Sequence, residues 1–427
     1  MATYLRRTCG STASSYTVSM WVKTAKTQGG TTSALWWNAA TNKLNWEFNG
    51  SSQIYCYTPE TKTTGYYRDT SAWYHLVWKV ASNVGTLYVN GVADAGLTSV
   101  GSIASLVSAN DIQIGGDNGG STFEGIMSHV HFIDGTAYDA TAFGEYDANG
   151  VWKIKTSPSV TYGTNGFFIL KDGNSVTDQS GNGNNLTVGG GTLTNTEDNP
   201  SNVFATFNPL AKSLTGTATY SNGNTTVATN DAATLGGMST LGMTSGKWYA
   251  EAKRISQNSG TADDGFRISF GVTNVTNHST NVPPTTEGNY FMIGNGTVYN
   301  GITTLGTFGG NANISDNGVQ QIALDLDNNR ITWGFNGQWM NGSGAYNQSS
   351  PSNWVTITDP DSTDAGYFFL TSDGSTGRGY TASWNFGNGY FGTTAVSSAG
   401  TNASGNGIFE FDVPTGYTAL STKGLNL

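Results

Sequence analysis

The sequence predicts an all-β protein, built as two antiparallel, jelly-roll-like β-sandwich domains in tandem. Three observations predict it. Gly supplies 58 of 427 residues while charged residues make up only 11%. Solvent faces must therefore be made of Ser, Thr, Asn and Gly, which suits many short strands joined by tight turns. Aromatic residues reach 12% and hydrophobic residues 37%, enough apolar surface to fill cores rather than leave the chain disordered. Apolar residues recur at every second position along the chain, the strand period, and no long amphipathic helix interrupts them.

"YTVSMWVK" (16–23) sets Val18, Met20 and Val22 against Thr17, Ser19 and Trp21. "KLNWEF" (43–48) places Leu44, Trp46 and Phe48 on one face. In "WYHLVWKVASNVGTLYVNG" (73–91), Tyr74, Leu76, Trp78 and Val80 share a face. His75 then points the other way, beside Trp73, Val77 and Lys79. The return strand ends in Asn90-Gly91, a hairpin-turn pair because both residues tolerate positive φ. "TAYDATAFGEY" (136–146) is long enough for one helical turn.

The same design recurs in "QQIALDLDNNRITWGFNGQW" (320–339). Ile322, Leu324 and Leu326 face one way, and the return strand carries Ile331, Trp333 and Phe335 to Asn336-Gly337. Two such hairpins far apart imply two β-domains. "TEDNPSNVFATFNPLAK" (196–212), with two prolines and polar spacing, reads as a semi-rigid connector. Val203, Phe204 and Phe207 could pin it to a domain. The expected division is 1–195, connector 196–212, and 213–427.

The net charge is −10, and no basic cluster appears. Binding to a phosphate backbone needs clustered Lys or Arg, so nucleic acid is not an expected partner. No run approaches the ~20 apolar residues of a membrane span, so no membrane insertion is expected. The start, "MATYLRRTCGSTASSYTVSMWVK", lacks a secretory apolar stretch, which implies synthesis and use without processing in a cytoplasm. The two cysteines, Cys9 and Cys56, are expected as reduced, packed thiols.

"WYHLVWKV" followed by "GTLYVNG" resembles the central hairpin of laminin-G-like, concanavalin-type jelly rolls. "FEGIMSHVHFIDGTAYDATAFGE" (123–145) resembles the strand and turn that follow there. Further on stand "GVWKIKTSPSVTYGTNGFFILKD" (150–172), "DQSGNGNNLTV" (178–188) and "DNPSNVFATFNPL" (198–210). This ordered series is similar to a group of tailed-bacteriophage virion proteins, of marine phage type, that open with a laminin-G-like domain. The second half resembles the SPRY-type sandwich of such proteins. Its matching stretches are "SGKWYAEAK" (245–253), "IALDLDNNRITWGFNGQW" (322–339), "SWNFGNGYFG" (383–392) and "GIFEFDVPTGYTALSTKGLN" (407–426). The resemblance implies two β-sandwiches and a place on the virion, as a tail fibre, appendage or capsid decoration component.

No catalytic residue is expected. His75 sits at a framework position of the matched hairpin, and no partnered nucleophile or carboxylate accompanies it. His129 and His131 are two apart, so both imidazoles could face one ion, but a third ligand is missing from that face. A half-buried, hydrogen-bonded pair is the expectation, with no metal. Asp325 and Asp327 are expected on a solvated strand end, where they keep the edge soluble. "DPDSTDAG" (359–366) misses the calcium-loop pattern because Asp364 comes one position late. No cofactor is expected. Calcium stays open at a sandwich rim, where "GGDNGG" (115–120) offers Asp117 and Asn118.

The ligand-binding candidates are aromatic. In Trp36-Trp37 and Tyr66-Tyr67 one ring of each pair should pack inside, leaving Trp37 and Tyr66 to stack on sugar. Trp339, just past the Asn336-Gly337 turn, is the third. The expected function is a non-enzymatic virion protein that attaches to host-surface glycans or reinforces the particle. Its expected partners are other capsid or tail proteins and copies of itself in a homo-oligomer. A capsid cement with no receptor role is the second reading. A polysaccharide depolymerase is a third, which lacks the repetitive β-helix and clustered carboxylates that such enzymes bring.

Overall fold

The computed structural model describes residues 3–25, 32–39, 41–47, 52–117, 120–171, 176–211, 217–229, 234–257, 269–274, 288–293, 296–307, 317–359, 366–373 and 379–426. The chain is all-β and forms two compact units, 1–201 and 202–427. Residues 196–201 fold with the first unit and 202–211 with the second, which shares out the segment expected as a connector.

Unit 1 is a sandwich of two antiparallel sheets. One runs in the order Thr187–Gly190, Tyr4–Thr8, Asp111–Ile114, Thr32–Ala39, Asn42–Glu47, Gln53–Cys56, Thr61–Lys62. The other runs Phe167–Ile169, Gly125–Asp134, Tyr16–Thr24, Tyr74–Ala81, Val84–Val89, Val92–Ala93. Between them lie the alternating residues read from the sequence: Val18, Met20, Val22, Leu44, Trp46, Leu76, Trp78 and Val80 are all buried. Trp36, Tyr16 and Phe132 fill the centre as offset rings, a geometry that suits aromatic quadrupoles. Asn90 and Gly91 have φ of 49° and 84°, the twist-matched hairpin turn. The expected helical turn is the short 3-10 turn Ala140–Ala142. Cys9 and Cys56 are free and buried, and burial pushes both thiols up, Cys56 to about 11.

Alternation alone would leave Thr17, Ser19, Trp21 and Lys23 in water. Instead every residue of Tyr16–Thr24 is buried. Thr136, Tyr138, Trp152 and Asp198, from segments that follow the sheet strand Gly125–Asp134, cover this second face. Thr17 Oγ1 donates to the Thr136 carbonyl at 2.9 Å and accepts from the Tyr138 amide at 2.8 Å. Lys23 meets Asp198, and Trp21 stacks on His75 at 4.7 Å between ring centroids. The central strand is therefore sandwiched twice.

Unit 2 repeats this plan. Its larger sheet runs Ala218–Ser221, Thr226–Thr229, Tyr380–Asn385, Lys247–Gln257, Val319–Asp325, Arg330–Phe335, Gln338–Met340, Tyr346–Gln348, with Thr418–Ala419 parallel beside Lys247–Gln257. The opposing sheet runs Thr234–Met238, Phe368–Asp373, Ser269–Thr273, Asn289–Ile293, Thr297–Asn300, Thr303–Thr307. Ile322, Leu324, Ile331, Trp333, Phe270, Phe369 and Trp384 form the core between them. On the far face Tyr249, Ala323 and Trp339 are closed over by Phe409, Val413 and Tyr417 of the C-terminal stretch.

Candidate functional site

The strands Thr32–Ala39, Asn42–Glu47, Gln53–Cys56 and Thr61–Lys62 form one flank of the seven-stranded sheet of unit 1. Leu44, Trp46, Ile54 and Cys56 point into the core, so their strand neighbours point out. Cross-strand register places Trp37 opposite Lys43, Asn45 opposite Tyr55, and Tyr55 opposite Lys62. Lys43 Nζ lies 5.0 Å from the Tyr57 ring centre, and Lys62 Nζ lies 5.8 Å from that of Tyr55. Tyr55 and Tyr57 meet edge to face at 6.1 Å. The Arg68 guanidinium sits 5.0 Å from the Tyr66 ring. Tyr55, Tyr57 and Tyr66 thus each stand beside a cation, Tyr55 itself being buried. Tyr57 is 46% and Tyr66 58% exposed, while Trp37 is partly exposed.

Each aromatic pair has one ring turned in, Trp36-Trp37 on a strand and Tyr66-Tyr67 in a loop. Trp36 is fully enclosed and Trp37 is not. Tyr67 turns inward, edge-on to Trp46 and Tyr74, with its hydroxyl 3.3 Å from Asp94. Burial tends to raise the Asp94 carboxyl, but backbone N–H groups of Thr64, Gly96 and Gly65 outweigh it and hold the group ionised below its ordinary range. That anchor fixes the loop from which Tyr66 projects. Tyr55 and Tyr57 were not among the candidates. Their signal lay in "QIYCYT", where the two tyrosines alternate with the core residues Ile54 and Cys56.

Trp339 does not offer a ring to solvent. It is 2% exposed and packs 6.2 Å from Tyr249, beneath the C-terminal stretch. The outward face that a hairpin would present is here a second interior. Asp325 is corrected for the same reason. It is fully buried, caps the turn at Asn328 and holds Arg330 at 2.8–2.9 Å. Asp327 remains exposed, accepting from the Gly246 amide.

His75 is buried, and among the described residues no carboxylate bonds it. Its Nδ1 accepts from the Trp152 indole N–H at 2.9 Å, and its Nε2 lies 2.9 Å from Ser19 Oγ. Indole is only a donor, so Nδ1 is unprotonated and Nε2 carries the hydrogen that Ser19 accepts. Burial, with a lesser contribution from His129, pushes this imidazole down to about 3. His129 and His131 are both buried rather than half-buried. A register shift between Ser128 and His131, with His129 at φ 47°, breaks the expected alternation. His129 bonds Ser128 Oγ and His131 bonds the Tyr162 hydroxyl, while the His131 ring stacks on Phe168 at 3.9 Å.

Among the described residues no three His, Cys, Asp or Glu side chains are grouped as a metal site. Asp117 is engaged by Lys43 at 2.8 Å and by the Ser121 amide. Asn118, Asp361 and Asp364 lie outside the described residues.

The fold defines a class: a tandem β-sandwich protein whose first unit is concanavalin-like. Residues 3–140 match the laminin-G family model described as the concanavalin A-like lectin/glucanases superfamily. Solved structures similar to the chain include the SPRY domain of human HERC1, at 17% identity over 42% of this chain and 96% of that one, TM-score 0.30. They also include the native heptameric SAP-like pentraxin from Limulus polyphemus, at 14% identity over 32% of this chain and 72% of that one, TM-score 0.26. A third is domain 4 of AbnA, a GH43 extracellular arabinanase from Geobacillus stearothermophilus in complex with arabinotriose, at 19% identity over 30% and 64% of the two chains, TM-score 0.25. No curated protein sequence matches the chain.

Proposed function

We infer that the chain is a non-enzymatic adhesive protein of a bacteriophage particle, an appendage, fibre or capsid decoration component, that holds host-surface glycans on unit 1. The observation that carries this reading is a set of solvent-facing rings on unit 1: Tyr57 beside Lys43, Tyr66 beside Arg68, and Trp37 opposite Lys43. Exposed rings offer flat faces to the C–H side of a sugar, and the neighbouring cations and amides offer donors to its hydroxyls. Each contact is weak, so useful affinity comes from several copies presented together. The ordered motif series from the laminin-G-like hairpin to the C-terminal "GIFEFDVPTGYTAL" supports the place on a phage particle.

The test is a glycan array and pull-down on host envelope fractions. Tyr66→Ala and Tyr57→Ala are each expected to weaken binding about tenfold, as loss of an anchoring aromatic does. Their melting curves should stay at wild type. Wild-type protein that binds no envelope fraction, or variants that bind equally well, would overturn the reading.

A further inference from the structure

The hairpin of Gly144–Tyr146 and Trp152–Ile154 belongs to neither sheet of unit 1; its two strands pair only with each other. It lies across the outer face of the six-stranded sheet like a strap. Its attachments are few. Trp152 donates to His75 and stacks 5.9 Å from it, and the Tyr146 hydroxyl donates to the Asn90 carbonyl at 3.3 Å. Gly91 leaves room for the indole, since a Cβ there would come within 2.5 Å of the Trp152 ring. Tyr146 and Val151 stay about half exposed, at 52% and 49%, and Val92 beside them is 62% exposed.

We propose that His75 is an acid-sensitive latch for this strap: protonating its Nδ1 sets donor against donor at Trp152 and frees the hairpin while both sheets remain folded. Among the described residues no compensating charge faces the ring. Ser19 and Trp21 face it from Tyr16–Thr24, and His129 acts on it from Gly125–Asp134, where the buried His131 also stands. Asn90 binds its backbone from the hairpin turn. Further along the same face lie two ion pairs already complete, Lys23 with Asp198 and Lys79 with Asp139, the latter also bound by Tyr88. The strap's own charges, Glu145 with Lys155 and Asp147 with Lys153, pair at its surface.

Opening at pH about 5 lets the imidazole return to its ordinary range. The open fraction should rise about 30-fold over its value at pH about 7.5.

Hydrogen exchange on the full chain, expressed as protection factors, reads this directly. Peptides covering 144–154 should lose about 30-fold in protection at the lower pH, while those of Tyr16–Thr24 keep theirs. His75→Asn, which retains an acceptor and does not titrate, should abolish the pH dependence. Trp152→Phe, which keeps a ring and removes the donor, should show low protection already at pH about 7.5. The proposal is overturned by unchanged strap protection between the two pH values. It is equally overturned if Tyr16–Thr24 opens along with the strap, if His75→Asn retains the response, or if Trp152→Phe keeps full protection at the higher pH.

Discussion

Replacing Asp198 by alanine is expected to destabilise unit 1 by about 3–5 kcal/mol. Lys23 and Asp198 are each only 2% exposed, and Nζ stands 2.8 Å from Oδ2. The other carboxylate oxygen accepts from the Trp73 indole at 3.1 Å. Removing the carboxylate leaves an ammonium in a low-dielectric interior without this counter-ion, and an indole N–H without its acceptor. Taking both charges out is a different matter. A Lys23→Met/Asp198→Leu double variant removes the desolvation cost together with the attraction, so it should recover most of the loss. Urea unfolding, following the transition of unit 1, checks both. An Asp198→Ala loss under about 1 kcal/mol would mean that water reaches the pair and that the second face is not closed.

Glu251 should matter as much to unit 2. It is fully buried, and four donors converge on it: the backbone amides of Glu410 and Phe411, the Tyr249 hydroxyl and the Asn385 side chain, at 2.8–3.3 Å. Together with the pairing of Thr418–Ala419, it ties the C-terminal stretch to the central strand. Glu251→Ala strands all four donors and should cost on the order of 3–5 kcal/mol, with protease sensitivity appearing first around 397–420. Equal resistance in mutant and wild type would place the tie elsewhere.

The two units should also respond to pH in opposite directions. Burial raises the Glu251 carboxyl to about 7, against donors that favour its ionised form. Folded unit 2 then holds more protons than the unfolded chain between about 4.5 and 7, so its stability falls as pH rises through that window, by about 3 kcal/mol in all. Glu251→Gln should flatten the slope. In unit 1 the depressed His75 makes the unfolded chain the better proton binder, so stability falls as pH drops below about 6.5. Denaturant midpoints of the two transitions, followed from pH about 5 to 8, should therefore move in opposite directions, that of unit 1 up and that of unit 2 down.

Much of this was legible in the residues. Period two in Val18, Met20 and Val22 names core positions because successive strand side chains must point to opposite sides. Asn90-Gly91 and Asn336-Gly337 name hairpin turns because both need positive φ, which the structure shows at all four positions. Trp36 against Trp37 sorts by the same rule, while Tyr66 and Tyr67 lie between strands and are divided by the Asp94 anchor. Asp325, expected on the outward face, and Trp339, placed only by its position past a turn, did not sort that way. They point away from the main core, and that side is not water.

By itself, then, the sequence determined strand positions, turn types and the inward face of the regularly alternating strands, since all three follow from bonds and sterics within a few residues. What lies on the outward face was decided only by tertiary structure. Asp198 reaches Lys23 across 175 residues, and Glu410 reaches Glu251 across 159. A period carries no information about which distant segment will lie over it. That covering layer turned His75, Lys23 and Glu251 from surface groups into buried ones, and left the flank with Tyr57 and Tyr66 open.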